Sequence, residues 1–236
     1  MRDVTFYGKG LPYLKLDKLP GKLIVLEGPD CSGRTTHITL LKEWLESKGH
    51  AVLDTGLKRS TLVGNVIDEA KKGNILGKTT LSLLYITDFC DQLENKILPA
   101  LGAGYIVLAD RYIYTLIARD IVRGASKEWL MKMLGFALVP DMIFYLNVDP
   151  NILLHRAFAK YGHLDYWESG MDIHLSGDML ESFKKYHILL QNEYEEMAGE
   201  FGFIVLNGKE SISKIQSQLR KRIGEYLGIE DRPAGP

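Results

Sequence analysis

A glycine-bounded spacing near the start of the chain could hold a phosphate: Gly28, four residues, Gly33, Arg34 and Thr35. Phosphate-binding loops usually read Gly, four residues, Gly, Lys, then Ser or Thr, so arginine stands here where lysine is usual. The glycines let backbone N–H groups come close to phosphate oxygens, and the helix that follows offers unpaired donors and the positive end of its dipole. On this reading Gly28, Cys31, Ser32, Gly33, Arg34, Thr35 and Thr36 wrap a phosphate chain, with the Thr35 hydroxyl placed to bind Mg²⁺. A second candidate is Asp110, which follows the apolar run Tyr105–Ala109. A carboxylate at a strand end can hold Mg²⁺ directly or through water, or simply cap the next helix. The neighbouring Arg111, able to clamp a second phosphate, favours the metal role.

These residues need strands to carry them. Leu23-Ile24-Val25-Leu26 feeds the loop, and Ile38, Leu41 and Leu45 recur behind it at helical spacing until Gly49. Further apolar runs at 51–54, 105–109, 142–146 and 203–206 alternate with helical text, including a long stretch from Thr80 to about Leu98, one from Asp149-Pro150 and one capped by Ser211. Five strands alternating with helices predict a three-layer α/β domain on a parallel sheet. Ligands in such sheets bind beyond the strand C-termini, where Asp30, Asp54, Asp110 and Asn207 emerge. Residues 1–21 read as an irregular leader with Phe6, Tyr7 and Tyr13 available to pack on the domain, which spans 22–227. Residues 228–236 read as a flexible tail.

Composition narrows the class. With 236 residues, 46% of them hydrophobic, the chain can bury one well-filled core. A net charge of −1 gives no reason to expect a nucleic acid or a membrane as partner. Two cysteines, Cys31 and Cys90, form no framework, which fits a reducing cytoplasm, and no apolar run has the length of a signal peptide core or a membrane span.

The ordered set of motifs resembles the thymidylate kinases, within the nucleoside monophosphate kinase branch of P-loop folds. The match comprises Glu27-Gly28-Pro29-Asp30 through Thr36, Arg59-Ser60-Thr61 with Gly64, Leu84-Tyr85 with Asp88, Ala109-Asp110-Arg111-Tyr112, Pro140-Asp141, Phe144 to Pro150, and the strand ending at Asn207 on the adenine side. The resemblance implies transfer of the ATP γ-phosphoryl group to dTMP, with Mg²⁺ and with Arg34, Asp30, Asp110, Arg111 and Arg156 in the reaction. It implies that Asp30 contacts the deoxyribose 3′-hydroxyl, Tyr85 stacks on the base, Arg111 reaches the acceptor phosphate and Tyr112 crowds the 2′ position. The segment from about 156 to 172 corresponds to a lid, and a homodimer packed through helices is compatible with the family.

Several positions depart from the family pattern. The arginine that reads the thymine edge falls on Phe89, which predicts looser base selection, because an apolar wall discriminates more weakly than a hydrogen-bonding one. The arginine expected after the second strand falls on Thr55 or Gly56, leaving Lys58 or Arg59 to meet the acceptor phosphate. Cys31 stands where one subgroup has a catalytic arginine, and the lid's basic residues are Arg156, Lys160 and His163. Within the lid, Asp165-Tyr166-Trp167-Glu168 could position Arg156 or simply anchor the loop. Two alternatives accompany these departures: a kinase of the same fold with another acceptor, and a non-catalytic nucleotide-binding module with a degenerate loop.

Overall fold

The computed structural model describes residues 2–14, 17–73 and 76–229. Two short strands, β1 (Arg2–Asp3) and β2 (Lys18–Leu19), pair antiparallel ahead of the main sheet. The main sheet is built from β3 (Lys22–Glu27), β4 (Val52–Gly56), β5 (Ile106–Asp110), β6 (Met142–Asn147) and β7 (Ile204–Asn207). All its pairs are parallel and the order is β4-β5-β3-β6-β7, so the strand that feeds the glycine loop lies at the centre.

The helices are α1 (Arg34–Ser47), α2 (Gly64–Gly73), α3 (Lys78–Gln92), α4 (Leu98–Gly102), α5 (Ile113–Val122), α6 (Lys127–Met133), α7 (Pro150–Tyr161), α8 (Met179–Phe201) and α9 (Ile212–Leu227). Alternation along the strands divides them between two cores. Ile24, Leu26, Leu108, Phe144 and Leu146 pack with Ile38, Leu41 and Leu45 of α1 and Ile215, Leu219 and Ile223 of α9. Leu23, Val25, Val107, Ala109, Ile143 and Tyr145 face the other way, onto α3, α5 and α8. Both faces are therefore covered, which is why residues 23–26, 106–109 and 142–146 of the central strands are apolar throughout.

The caps act as the sequence indicates. Gly49 adopts φ +87° just past α1, the Asp149 carboxylate accepts the Asn151 N–H at 2.9 Å, and the Ser211 hydroxyl accepts the Lys214 N–H at 3.3 Å. Three expectations change. The long helix from Thr80 is interrupted, because Leu93–Ile97 widens into a π-turn before Pro99. The lid is partly regular, since α7 carries Arg156 and Lys160 and only 162–178 is loop, apart from a 3₁₀ turn at Met171–Ile173. The leader is ordered: besides β1 and β2, Tyr7 N–H donates to Ala137 O at 3.0 Å, Gly8 N–H to Gly135 O at 2.8 Å, and Val139 N–H to Thr5 O at 2.8 Å. Leu11 and Leu19 are buried in the larger core. From residue 230 onward the expected tail lies outside the described residues.

Candidate active site

Register brings the chemistry together. Leu26 pairs with Asp110, and Gly56 pairs with Asp110 from the other side, so the ends of β3, β4 and β5 meet beneath one cavity. Glu27, fully buried, fixes the start of α5 by accepting the Tyr112 N–H at 2.8 Å and the Thr115 hydroxyl at 2.6 Å. Burial pushes the Glu27 carboxyl above its ordinary range despite these two bonds.

The loop needs unusual backbone. Gly28 and Gly33 have φ of +149° and +101°, and a Cβ on Gly28 would lie 3.0 Å from Ser32 Oγ and 3.1 Å from Leu146 O. Among the described non-glycine residues only Cys31, Lys58, Arg111 and His174 have positive φ. Two of these four, Cys31 and Arg111, line the cavity, the placing of backbone strain expected where geometry serves a ligand.

The cavity has a volume of about 380 Å³ and is lined by the loop from Asp30 to Thr36 together with Arg59, Asp110, Arg111, Arg156 and Lys160. Five cationic side chains, counting Arg34, face two carboxylates there, so the cavity favours an anion. Arg34 does not reach outward. Its Nε donates to Asp110 Oδ1 at 2.7 Å, and its Nη1 donates to the carbonyls of Gly28 and Pro29 and to Ser32 Oγ at 3.2 Å. Burial raises the Asp110 carboxyl, but the charges of Arg34 and Arg111 and the Thr35 and Arg34 hydrogen bonds outweigh it, and the group titrates below its ordinary value.

Thr35 Oγ1 donates to Asp110 Oδ2 at 2.8 Å. Two oxygens bound side by side on an octahedral Mg²⁺ at about 2.0–2.1 Å lie about 2.9 Å apart, so this pair fits that ion. Among the described residues no cluster of three metal-ligating side chains occurs. Arg156 ties the glycine loop to the turn after β7, its Nη1 donating to Ser32 O at 3.2 Å and Cys31 O at 3.4 Å and its Nη2 to Gly208 O at 3.1 Å. Asn207, just before that glycine, is exposed at the sheet end and accepts the Lys209 N–H at 3.1 Å.

On the far side of Asp30 lies a narrow second cavity of about 40 Å³, lined by Tyr85, Leu81, Leu116, Arg119, Trp167 and Glu168 among others. Asp30 sits between the two, gripped by the guanidinium of Arg111 on Oδ1 and that of Arg119 on Oδ2. Burial alone would raise its carboxyl, but the charges of Arg111, Arg119 and Arg34 hold it well below its usual range. The lid segment closes over this side. Trp167 Nε1 donates to Lys71 O at 3.1 Å, while Arg123 donates to Trp167 O at 2.9 Å and to the Asp172 carboxylate at 2.8 and 3.1 Å.

A sequence model described as thymidylate kinase covers residues 26–219. The chain belongs to the thymidylate kinase family. It is 38% identical over 208 residues to the probable thymidylate kinase 2 of Saccharolobus solfataricus, covering 88% of this chain and 97% of that protein. It is 34% identical over 216 residues to the probable thymidylate kinase of Pyrococcus abyssi, covering 89% and 99%, and 28% identical over 215 residues to the thymidylate kinase of Caldanaerobacter subterraneus, covering 88% and 97%. The five-stranded parallel sheet is the α/β fold expected of that family.

Against the family pattern, three sequence expectations find no place in the cavities. Phe89 is 2% exposed and packs edge-on to Tyr112 and stacked on Phe136, inside the larger core. Tyr112 is 1% exposed, with its hydroxyl donated to Leu138 O at 3.0 Å, so it cannot crowd a sugar. Lys58 turns its ammonium to Asp68, leaving Arg59 as the basic residue of that loop in the larger cavity. Thr55 is buried against Gln92 at 2.7 Å. The residue that sequence reasoning missed is Arg119. Thr115 and Arg119 in the mostly apolar α5, with Arg123 just past its end, recur every fourth residue, a polar stripe that was its only signal.

Proposed function

We propose that this protein transfers the γ-phosphoryl group of ATP to dTMP, releasing ADP and dTDP. The observation that carries the reading is the junction at Asp30, where a cationic loop cavity meets an aromatic-walled one, in a chain of the thymidylate kinase family. The phosphate-binding loop takes the ATP phosphates, Arg156 and the turn after Asn207 border the adenine side, and the acceptor enters from the side of Tyr85. An oxygen of the acceptor phosphate attacks the γ-phosphorus, and the bond from that phosphorus to the bridging oxygen of ADP breaks.

Catalysis of such a transfer consists of positioning and charge stabilisation. Thr35 and Asp110 fit as the protein ligands of Mg²⁺, which supplies charge neutralisation on the transferring phosphate when bound. Arg34 lines the loop cavity while bonded to Asp110 and to the Gly28 and Pro29 carbonyls, so its charge acts from within the loop, and Arg111 and Arg59 serve the acceptor phosphate. Lys160 on α7 adds charge from the lid.

The names of the relatives favour dTMP over a different acceptor, and the intact Asp30, Thr35, Asp110 and Arg111 favour turnover over a mere binding role. A coupled ADP-release assay with dTMP, dUMP, dCMP, UMP and dGMP tests the reading. dTMP should give the highest kcat/KM, and no Mg²⁺-dependent ADP release with any of the five would overturn it.

A further inference from the structure

The acceptor has to run from the aromatic cavity to the loop cavity, and the groups at the crossing are Asp30, Arg111 and Arg119. A 5′-mononucleotide with its base against Tyr85 and its phosphate toward Arg59 and Arg111 sets its sugar at that crossing. The base side measures about 40 Å³ and is bordered by Trp167 and Glu168.

At the crossing the two arginines differ. Arg111 lines the loop cavity, whereas Arg119 lines the aromatic one. Arg119 uses a single N–H on Asp30 and makes no second hydrogen bond among the described residues, although a guanidinium carries five donors. Asp30 accepts one hydrogen on each oxygen, and a carboxylate can accept about four. A free donor on Arg119, in the cavity that Leu81 and Leu116 also line, therefore stands beside a free acceptor on Asp30 at the edge of the loop cavity. Of the groups on a nucleotide's sugar, a hydroxyl is the one that both donates and accepts.

We propose that Arg119 is a specificity-determining residue of the acceptor site, donating a hydrogen bond to the sugar hydroxyl oxygen whose own hydrogen is given to Asp30. The inference rests on the nucleotide kinase reading above. It adds to the acceptor site a polar readout of the 3′ position by an arginine from α5, distinct from the 2′ selection expected of Tyr112. In dTMP the hydroxyl concerned is the 3′-hydroxyl, the only free one.

The test compares kcat/KM for dTMP and for its 3′-deoxy analogue in the wild type, Arg119→Met and Arg119→Lys. The wild type should prefer dTMP by about 100-fold or more, because a site built around a hydroxyl rejects the analogue lacking it strongly. Arg119→Met should lose at least about tenfold of that preference, through a raised KM for dTMP with the KM for ATP unchanged, and Arg119→Lys should fall between. A preference in Arg119→Met equal to the wild type's would overturn the proposal while leaving the kinase reading intact. A wild type without activity on any nucleotide would overturn both. Should the Met variant fail to fold, Arg119→Lys carries the same comparison, and an undiminished preference there together with no thermal-shift difference between dTMP and the 3′-deoxy analogue in the wild type would refute the role.

Discussion

Removing the Arg34 guanidinium tests whether arginine can stand in for the loop lysine. In the unliganded chain this side chain is buried and joins Asp110 to the carbonyls of Gly28 and Pro29. Arg34→Ala strips Asp110 of its closest cation and leaves two inward carbonyls without that donor. Breaking such a buried pair costs about 3–5 kcal/mol of stability. Losing one preorganised donor near the transferring phosphate costs a further ~2–4 kcal/mol of transition-state stabilisation, a drop of about 30- to 1,000-fold in kcat. Arg34→Lys keeps a charge that can bond the same carbonyls, so it should retain activity within about tenfold of the wild type. Single-turnover kinetics at saturating ATP and Mg²⁺ separate chemistry from binding, and urea unfolding gives the stability change. An Ala variant that turns over within twofold of the wild type would refute the argument. If Lys and Ala are equally impaired, the planar fork is what matters.

Asp110→Asn should preserve the fold while sharply reducing turnover and weakening its dependence on Mg²⁺, measured by a metal titration of kcat; an unchanged titration removes Asp110 from the metal site. Glu168 is raised to about 7, first by burial and then by the nearby Asp30 charge. Its folded form holds a proton that the unfolded form releases near 4.5, so it lowers stability progressively between pH 4.5 and 7 and fully above that. Glu168→Gln should therefore raise the unfolding free energy at pH 8 by up to about 3 kcal/mol, with no gain at pH 4, as read from denaturation at both pH values. Phe89→Ala should cost about 3–5 kcal/mol of stability by leaving a cavity beside Tyr112 and Phe136, yet leave the ratio of kcat/KM for dTMP and dUMP unchanged; a shifted ratio would return Phe89 to the acceptor site.

The five strands and the loop were legible because their signals are local: continuous apolar runs, glycines at fixed spacing and a hydroxyl at the helix start. Asp110 and Arg111 were legible because a strand end determines where its next residues go. Phe89 and Tyr112 were misplaced because an aromatic ring has the same identity in a core as at a pocket wall, and only packing against Phe136 and Leu138 tells the two apart. Arg119 was missed because its meaning depends on Asp30, eighty-nine positions away in the chain. The leader's composition suggested loose structure, whereas its backbone found partners in a segment from 135 to 139 that no local pattern announces.

That last pairing has a consequence for how the molecule is made. Residues 5–10 are made well before their partners, because the carbonyls and N–H groups they bond belong to residues that follow roughly 130 positions later. At ribosomal rates of about 5–20 residues per second, the first segment waits several seconds before its partners exist. β3 and the glycine loop face the same delay, because β5 and β6 on either side of β3 are also late. The segment 5–10 is thus held in place by residues made long after it, and a nascent chain truncated before residue 135 leaves that segment without its backbone partners.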